Sequence, residues 1–154
     1  MTLISEHTSG KWEGSSRDLA GKIRPFFRVF IPLCLANGIR VAIVTFSEQT
    51  QLISDLLHLV FPDQADLIPV RGEDSSWGYR GGGCHEGKQK HMASAAEELI
   101  VSNASSGLKI TRATTLLVDD DLKNVFVAID DGTRAVLCDP TNVRKMIDDL
   151  LVME

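Results

Sequence analysis

The apolar positions fall into short runs separated by amphipathic stretches, and the two kinds alternate along the chain. Leu19, Ile23, Phe26, Phe27, Phe30, Ile31 and Cys34 recur at mixed three- and four-residue spacings, which marks residues 17–36 as helical. Pro25 suits a first turn and Pro32 must kink or restart the helix, so two segments or one bent one are expected. Asn37-Gly38 closes the stretch in the left-handed conformation that glycine tolerates. Residues 39–46 make the clearest strand, with Ser47 as the N-cap of a second helix that runs to about Val60. A short strand is expected over 67–70 and a loop rich in Gly and Ser over 71–83. Residues 87–102 read as a helix that buries Met92, Ala95, Ala96, Leu99 and Ile100. The run 116–118 is too short for a helix and fits a buried parallel strand. A short helix near 122–129, a turn at Asp130-Asp131-Gly132, a strand over 134–137 and a helix over about 141–151 complete the pattern. Residues 1–16 are polar and read as a loop. This alternation predicts an α/β domain whose mainly parallel sheet is covered by helices and binds ligands at the carboxyl ends of its strands.

Bulk properties narrow the class. The 154 residues suit one domain, able to bury roughly two thirds of its unfolded surface. A net charge of -5, from 16 basic and 21 acidic residues, argues against a nucleic-acid partner held by a general basic field. Cys34, Cys84 and Cys138 show no paired spacing, which fits a reducing compartment. Cys84-His85 with His91 nearby is too thin a set for zinc without a CxxC. The most apolar window, 26–36, contains Arg28 and Pro32 and falls far short of the roughly twenty residues of a membrane span. No signal peptide is visible, since residues 1–14 carry His, Lys and Glu where an apolar segment should be. The expectation is a soluble, cytoplasmic protein without a membrane partner.

The candidate chemistry gathers at predicted strand ends. The run 116–118 leads directly into Asp119, Asp120 and Asp121. Three adjacent carboxylates repel one another, and two readings explain them: a divalent cation, or an acidic turn in which Asp121 caps the next helix. Thr45 ends the strand 39–46. Lys88 and Lys90 stand near a helix start, where positive charge opposes the macrodipole and favours an anionic partner. A hydroxyl, an ammonium and a carboxylate pair are the parts needed to hold a phosphoryl group beside Mg²⁺. The competing motifs are incomplete. The GxxxxGK spacing that ends at Lys88 is followed by Gln89 in place of Ser or Thr and has no strand before it, and Asp119-x-Asp121 lacks the glycine and final Glu of a calcium loop. Trp12, Trp77 and Tyr79 lie in loops and read as local packing.

The order Thr45, Lys88 or Lys90, Asp119-Asp120 and Asn124 resembles motifs two, three and four of the haloacid dehalogenase (HAD) superfamily of Mg²⁺-dependent phosphohydrolases. DDDLKNV is similar to the branch that includes capless, magnesium-dependent phosphatases. The resemblance covers nearly the whole chain and implies a Rossmannoid three-layer sandwich. It further implies that Thr45 bonds a phosphoryl oxygen and that Lys88 steadies the charge, with Lys90 the alternative. Asp120 would bind Mg²⁺, with Asp119 beside it and Asn124 in a second, helix-borne position. Thr2 would match the last position of the family's first motif, Asp-x-Asp-x-Thr, and so take part in phosphate binding. Both aspartates and the central strand would then lie upstream of Met1, which closes the covalent route in this chain and makes it inactive as it stands. Glu6 and Glu13 are the nearest carboxylates in sequence. Removing a central strand leaves a slot ~9.6 Å wide with unpaired backbone on both sides. The flanking strands could close up, the segment before Ser16 could enter, or another chain could add a strand and form a homo-oligomer. The implied substrate is phosphorylated, and the absence of a cap suggests a phosphoprotein. The alternative is a pseudoenzyme, a non-catalytic HAD-like binding or scaffold protein.

Overall fold

A computed structural model describes residues 2–6, 11–81, 86–139 and 141–152. Cys84, His85 and the glycines before them, on which the zinc and phosphate-loop motifs rest, lie outside the described residues.

The first amphipathic stretch is two helices, α1 (Ser16–Ala20) and α2 (Pro25–Ala36). A reciprocal capping box between Ser15 and Asp18 starts α1. The break falls at residues 21–24 and not at Pro32, which lies inside α2 and costs it one internal bond without ending it. Phe27, Ile31 and Cys34 form the buried stripe of α2. Gly38, at φ 77°, turns the chain out of it.

β1 (Ile43–Val44) is much shorter than the expected 39–46. Ser47 does not cap the next helix. Its hydroxyl accepts the Gln49 N–H, and α3 (Thr50–Val60) begins two residues later with Gln49 as its cap residue. A 3₁₀ turn at Ala65–Leu67 displaces the next strand to β2 (Val70–Arg71). α4 (Gln89–Ser102) follows, and its buried face is His91, Ala95 and Leu99. Of the apolar positions expected there, Ile100 is exposed and Met92 and Ala96 are half-buried. β3 (Leu116–Asp119), α5 (Leu122–Asp130), β4 (Arg134–Leu137) and α6 (Val143–Leu151) lie close to their expected bounds.

The strands form two separate parallel pairs. β1 pairs with β2 in the register Ile43 to Val70 and Val44 to Arg71. β3 pairs with β4 from Leu116 opposite Arg134 to Asp119 opposite Leu137. Among the described residues the two pairs do not join into one sheet. Residues 2–6 do not repair the sheet either. Ile4 forms an antiparallel bridge with Ile23, supported by bonds from Ser5 N–H to Lys22 O (2.8 Å) and from Arg24 N–H to Leu3 O (3.0 Å). Glu6 is drawn to Lys22, 2.7 Å away and well exposed.

Packing bridges what the backbone leaves unjoined. One core gathers Leu19, Phe27, Ile31, Leu56 and Leu57 with Val136, Cys138 and Met146, and Ile43, Val70 and Val118 pack on it. A second, smaller core holds Leu117, Val125, Ala128 and Ala135, flanked by Val44, Met92 and Leu137. Successive strand residues therefore serve different cores, as the two-residue period of a strand requires. The molecule is a mixed α/β fold with short parallel two-stranded sheets. No helix among the described residues is long and apolar enough to cross a membrane.

Candidate functional site

The acidic triplet at the end of β3 divides into three different jobs. Asp119, the last residue of the strand, is 2% exposed. Its Oδ2 lies 2.7 Å from the Lys88 ammonium. Its Oδ1 accepts the Asp121 N–H (2.9 Å) and the Asn124 side-chain amide (3.3 Å). Asp121 caps α5 by accepting the Lys123 N–H at 2.9 Å, so the capping explanation holds for this one member of the triplet.

Asp120 is tied to the other end of the described chain. The Thr2 hydroxyl donates to Asp120 Oδ1 at 2.8 Å and accepts the Asp120 N–H at 3.1 Å. Burial pushes the Asp120 carboxyl up, yet the hydrogen bonds it accepts, that of Thr2 among them, hold it below the ordinary carboxylate range. Arg24 fixes Thr2 in turn, its Nε donating to the Thr2 carbonyl at 3.1 Å.

Lys88 reaches this site from the opposite side. Gly87 before it adopts φ 70°, and a side chain there would meet Val127 of α5 and Gln89. Glycine thus lets the chain pass close to α5 just before α4 begins, which aims Lys88 at the end of β3. Lys90 points elsewhere. Its ammonium pairs with Glu86 at 2.6 Å and bonds the Arg80 carbonyl at 3.3 Å, with the side chain half in solvent. Of the two lysines, only Lys88 pairs with the acidic triplet.

Thr45 follows β1. Its N–H bonds Arg71 O (2.9 Å), and its hydroxyl oxygen accepts the Ser47 N–H (3.1 Å), leaving the hydroxyl proton available to a ligand. The neighbouring Phe46 links Thr45 to Lys88, whose ammonium stands 5.5 Å from the ring centroid. The opposite neighbour of Phe46 is His91, edge-on at 5.5 Å. Burial, and after it the charge of Lys88, push its pKa down to about 4.

The donor set bears on Mg²⁺. The Asp120 carboxylate and the Oδ1 of buried Asn124, which has no partner among the described residues, are both of the hard-oxygen type that this ion takes. Asp119 has both oxygens occupied by Lys88, Asp121 and Asn124, and so acts as the anchor for the lysine. No cluster of three His, Cys, Asp or Glu residues converges among the described residues. Oxygen donors of this type fit the ion chemically, and any ligand set built on Asp120 or Asn124 would have to be completed by water or substrate.

Sequence reasoning missed Arg24 and Phe46, and weighed His91 only beside Cys84-His85 for zinc. A signal existed for His91, three residues after Lys88 and hence on the same helical face, and for Phe46, directly after Thr45. The place of Arg24 depends on the antiparallel bridge at Ile4, which no periodicity announces. Searches against protein-family models, curated proteins and solved structures returned no match.

Proposed function

We propose that this chain carries the phosphate-side half of a HAD-type Mg²⁺-dependent phosphohydrolase. The observation that carries the reading is the buried Lys88–Asp119 ion pair at the carboxyl end of β3, next in sequence to the hydrogen-bonded Asp120. A buried carboxylate costs free energy unless it is paired, and here the pairing holds an ammonium in position for an anionic group. The Rossmannoid three-layer arrangement is part of this proposal, supported by the alternation of strand residues between two cores.

In this reading Thr45 donates its free hydroxyl proton to a phosphoryl oxygen. Lys88 stabilises negative charge as it develops, oriented by Asp119. Thr2, held by Arg24, orients Asp120. Asp120 and Asn124 would hold Mg²⁺, which when bound neutralises phosphoryl charge. An aspartyl nucleophile would stand on a strand between β1 and β3, and none of the described residues occupies that position.

That same lack of a strand between the pairs favours a second reading, a non-catalytic HAD-like protein that binds phosphorylated partners. Hydrolysis of p-nitrophenyl phosphate separates the two. Extending the chain before Met1 with an apolar strand that ends in Asp-x-Asp should produce Mg²⁺-dependent turnover, and Asp120→Asn should abolish it. Phosphate binding without turnover in the extended chain would leave the binding protein. A phosphorylated protein as the natural ligand, and assembly of copies by strand addition, are the corresponding proposals for partners.

A further inference from the structure

We propose that the surface formed by Phe46, Trp77 and Tyr79 is an aryl subsite, so that the ligand is a phosphate ester of an aromatic alcohol. The inference rests on the phosphate-binding reading of Lys88 and Thr45 and specifies what lies beyond the ester oxygen.

The subsite is continuous with the phosphate side. The Phe46 ring centroid stands 5.5 Å from the Lys88 ammonium and 5.5 Å from the His91 ring, which meets it edge-on. His91 in turn packs against Trp77 and Tyr79, at centroid separations of 4.9 and 4.7 Å, and those two rings lie 5.1 Å apart. His91 is fully buried, whereas Phe46, Trp77 and Tyr79 are each only half-buried. The histidine therefore serves as the floor, and part of the surface of all three aromatic side chains remains open to solvent.

Three fastenings make this surface rigid. The Trp77 indole N–H bonds the Gly72 carbonyl at 2.8 Å. Glu73 N–H bonds Ser47 O at 3.1 Å, and Thr50 bonds Asp74, which welds the loop after β2 to the segment after Thr45. Gly72 has no room for a side chain, because a Cβ would strike Ser47 O. A loop fixed this closely to the residues after Thr45 brings its aromatic rings to the same strand end as the phosphate-side groups.

The buried, neutral His91 supports the same assignment. Leaving both ring nitrogens unbonded among the described residues is costly, and a histidine chosen merely to fill space would be inferior to leucine. As a neutral aromatic floor it supports three rings by edge and tilted contacts and adds no second charge beside Lys88. A flat apolar group attached to a phosphate meets a cation at one end and preordered π surfaces at the other.

Calorimetric titration of the chain in Mg²⁺ with phenyl phosphate, ethyl phosphate and inorganic phosphate tests the assignment. Phenyl phosphate should bind about tenfold more tightly than ethyl phosphate, in keeping with one or two aromatic contacts. Tyr79→Leu, which keeps an apolar side chain but removes the π face, should cut that preference to threefold or less, and Trp77→Ala should do the same where it folds. Lys88→Met should weaken phenyl and ethyl phosphate alike. Equal affinity for the two esters, or a preference that survives both aromatic substitutions, overturns the aryl subsite and leaves the phosphate reading standing. Failure of all three ligands to bind overturns both.

Discussion

The ammonium of Lys88 stands 2.7 Å from Oδ2 of Asp119, a carboxylate 2% exposed, and a lysine at the start of α4 is thereby locked to the end of β3. Neither partner is well served alone. Lys88→Met leaves the Asp119 charge buried with only neutral donors and should destabilise the fold by ~3–5 kcal/mol. Replacing both, as Lys88→Met with Asp119→Leu, should recover much of that loss, since an apolar pair carries no desolvation penalty. Urea unfolding of the single and double variants measures the coupling. A single variant as stable as the parent would show that the pair is not buried in solution.

Thr2 and Asp120 are joined by two hydrogen bonds across almost the whole sequence. Thr2→Val removes both and should cost ~1–3 kcal/mol, because the Asp120 carboxylate and N–H each lose a partner. If Mg²⁺ binds at Asp120, the melting temperature of the parent should rise with Mg²⁺ concentration and fall back on chelation. Asp120→Asn should abolish that dependence. A Mg²⁺ response unchanged in Asp120→Asn would place the ion elsewhere.

His91 sets a pH dependence with a definite sign. Its folded pKa of about 4 lies below the unfolded value of 6.5, so between these values the unfolded chain binds more protons. Stability should therefore be level above pH ~6.5, decline as the pH falls and level out again below about 4, with roughly 3 kcal/mol lost over the window. The groups nearest the ring in this account are the Lys88 charge and the Tyr79 phenol. His91→Leu should remove this part of the acid sensitivity, read as the difference between parent and variant in urea unfolding at pH 7 and pH 5. A variant with the same pH slope as the parent would mean that the ring protonates freely in the folded state.

Gly72 tests the weld between the two loops. Gly72→Ala places a methyl group against the Ser47 carbonyl, a backbone atom that cannot rotate away. Destabilisation of ~1–3 kcal/mol is expected, together with a change in the fluorescence of Trp77, whose indole bonds the Gly72 carbonyl. An unaltered spectrum and stability would show that the loop stands off from residue 47.

The sequence pattern was most informative where local chemistry decides structure. The acidic turn after β3, the Asp121 cap, the bounds of α5 and the glycine turn after α2 all follow from residues within a few positions of one another. It failed where the decision is made at long range. Residues 39–46 have the composition of a full strand, but ladder length depends on the partner, and β2 meets β1 over two residues only. Ser47 looked like a cap, yet the loop bearing Gly72 claims its carbonyl and helix α3 starts later. His91 was weighed only for zinc, because an imidazole on a helix carries no periodic apolar signal that would mark it as buried. Of the site, the sequence put Lys88 or Lys90 and the triplet on the phosphate side without foreseeing an ion pair, and in the structure it is Lys88 that pairs with Asp119.

Among the described residues, the seam between the β1–β2 and β3–β4 pairs is held by side chains alone. Directional backbone bonds tie the strands within each pair, whereas the contacts across the seam are non-directional side-chain packing. The ends of β1 and β3, with Thr45 on one side and Asp119 on the other, therefore sit on opposite lips of a joint that can widen or narrow without breaking a ladder. Deuterium uptake should reveal it, with the amides of β1 exchanging before those of the longer β3–β4 pair. Any group that wedges into the seam would set the distance between the hydroxyl and the lysine-bearing acid.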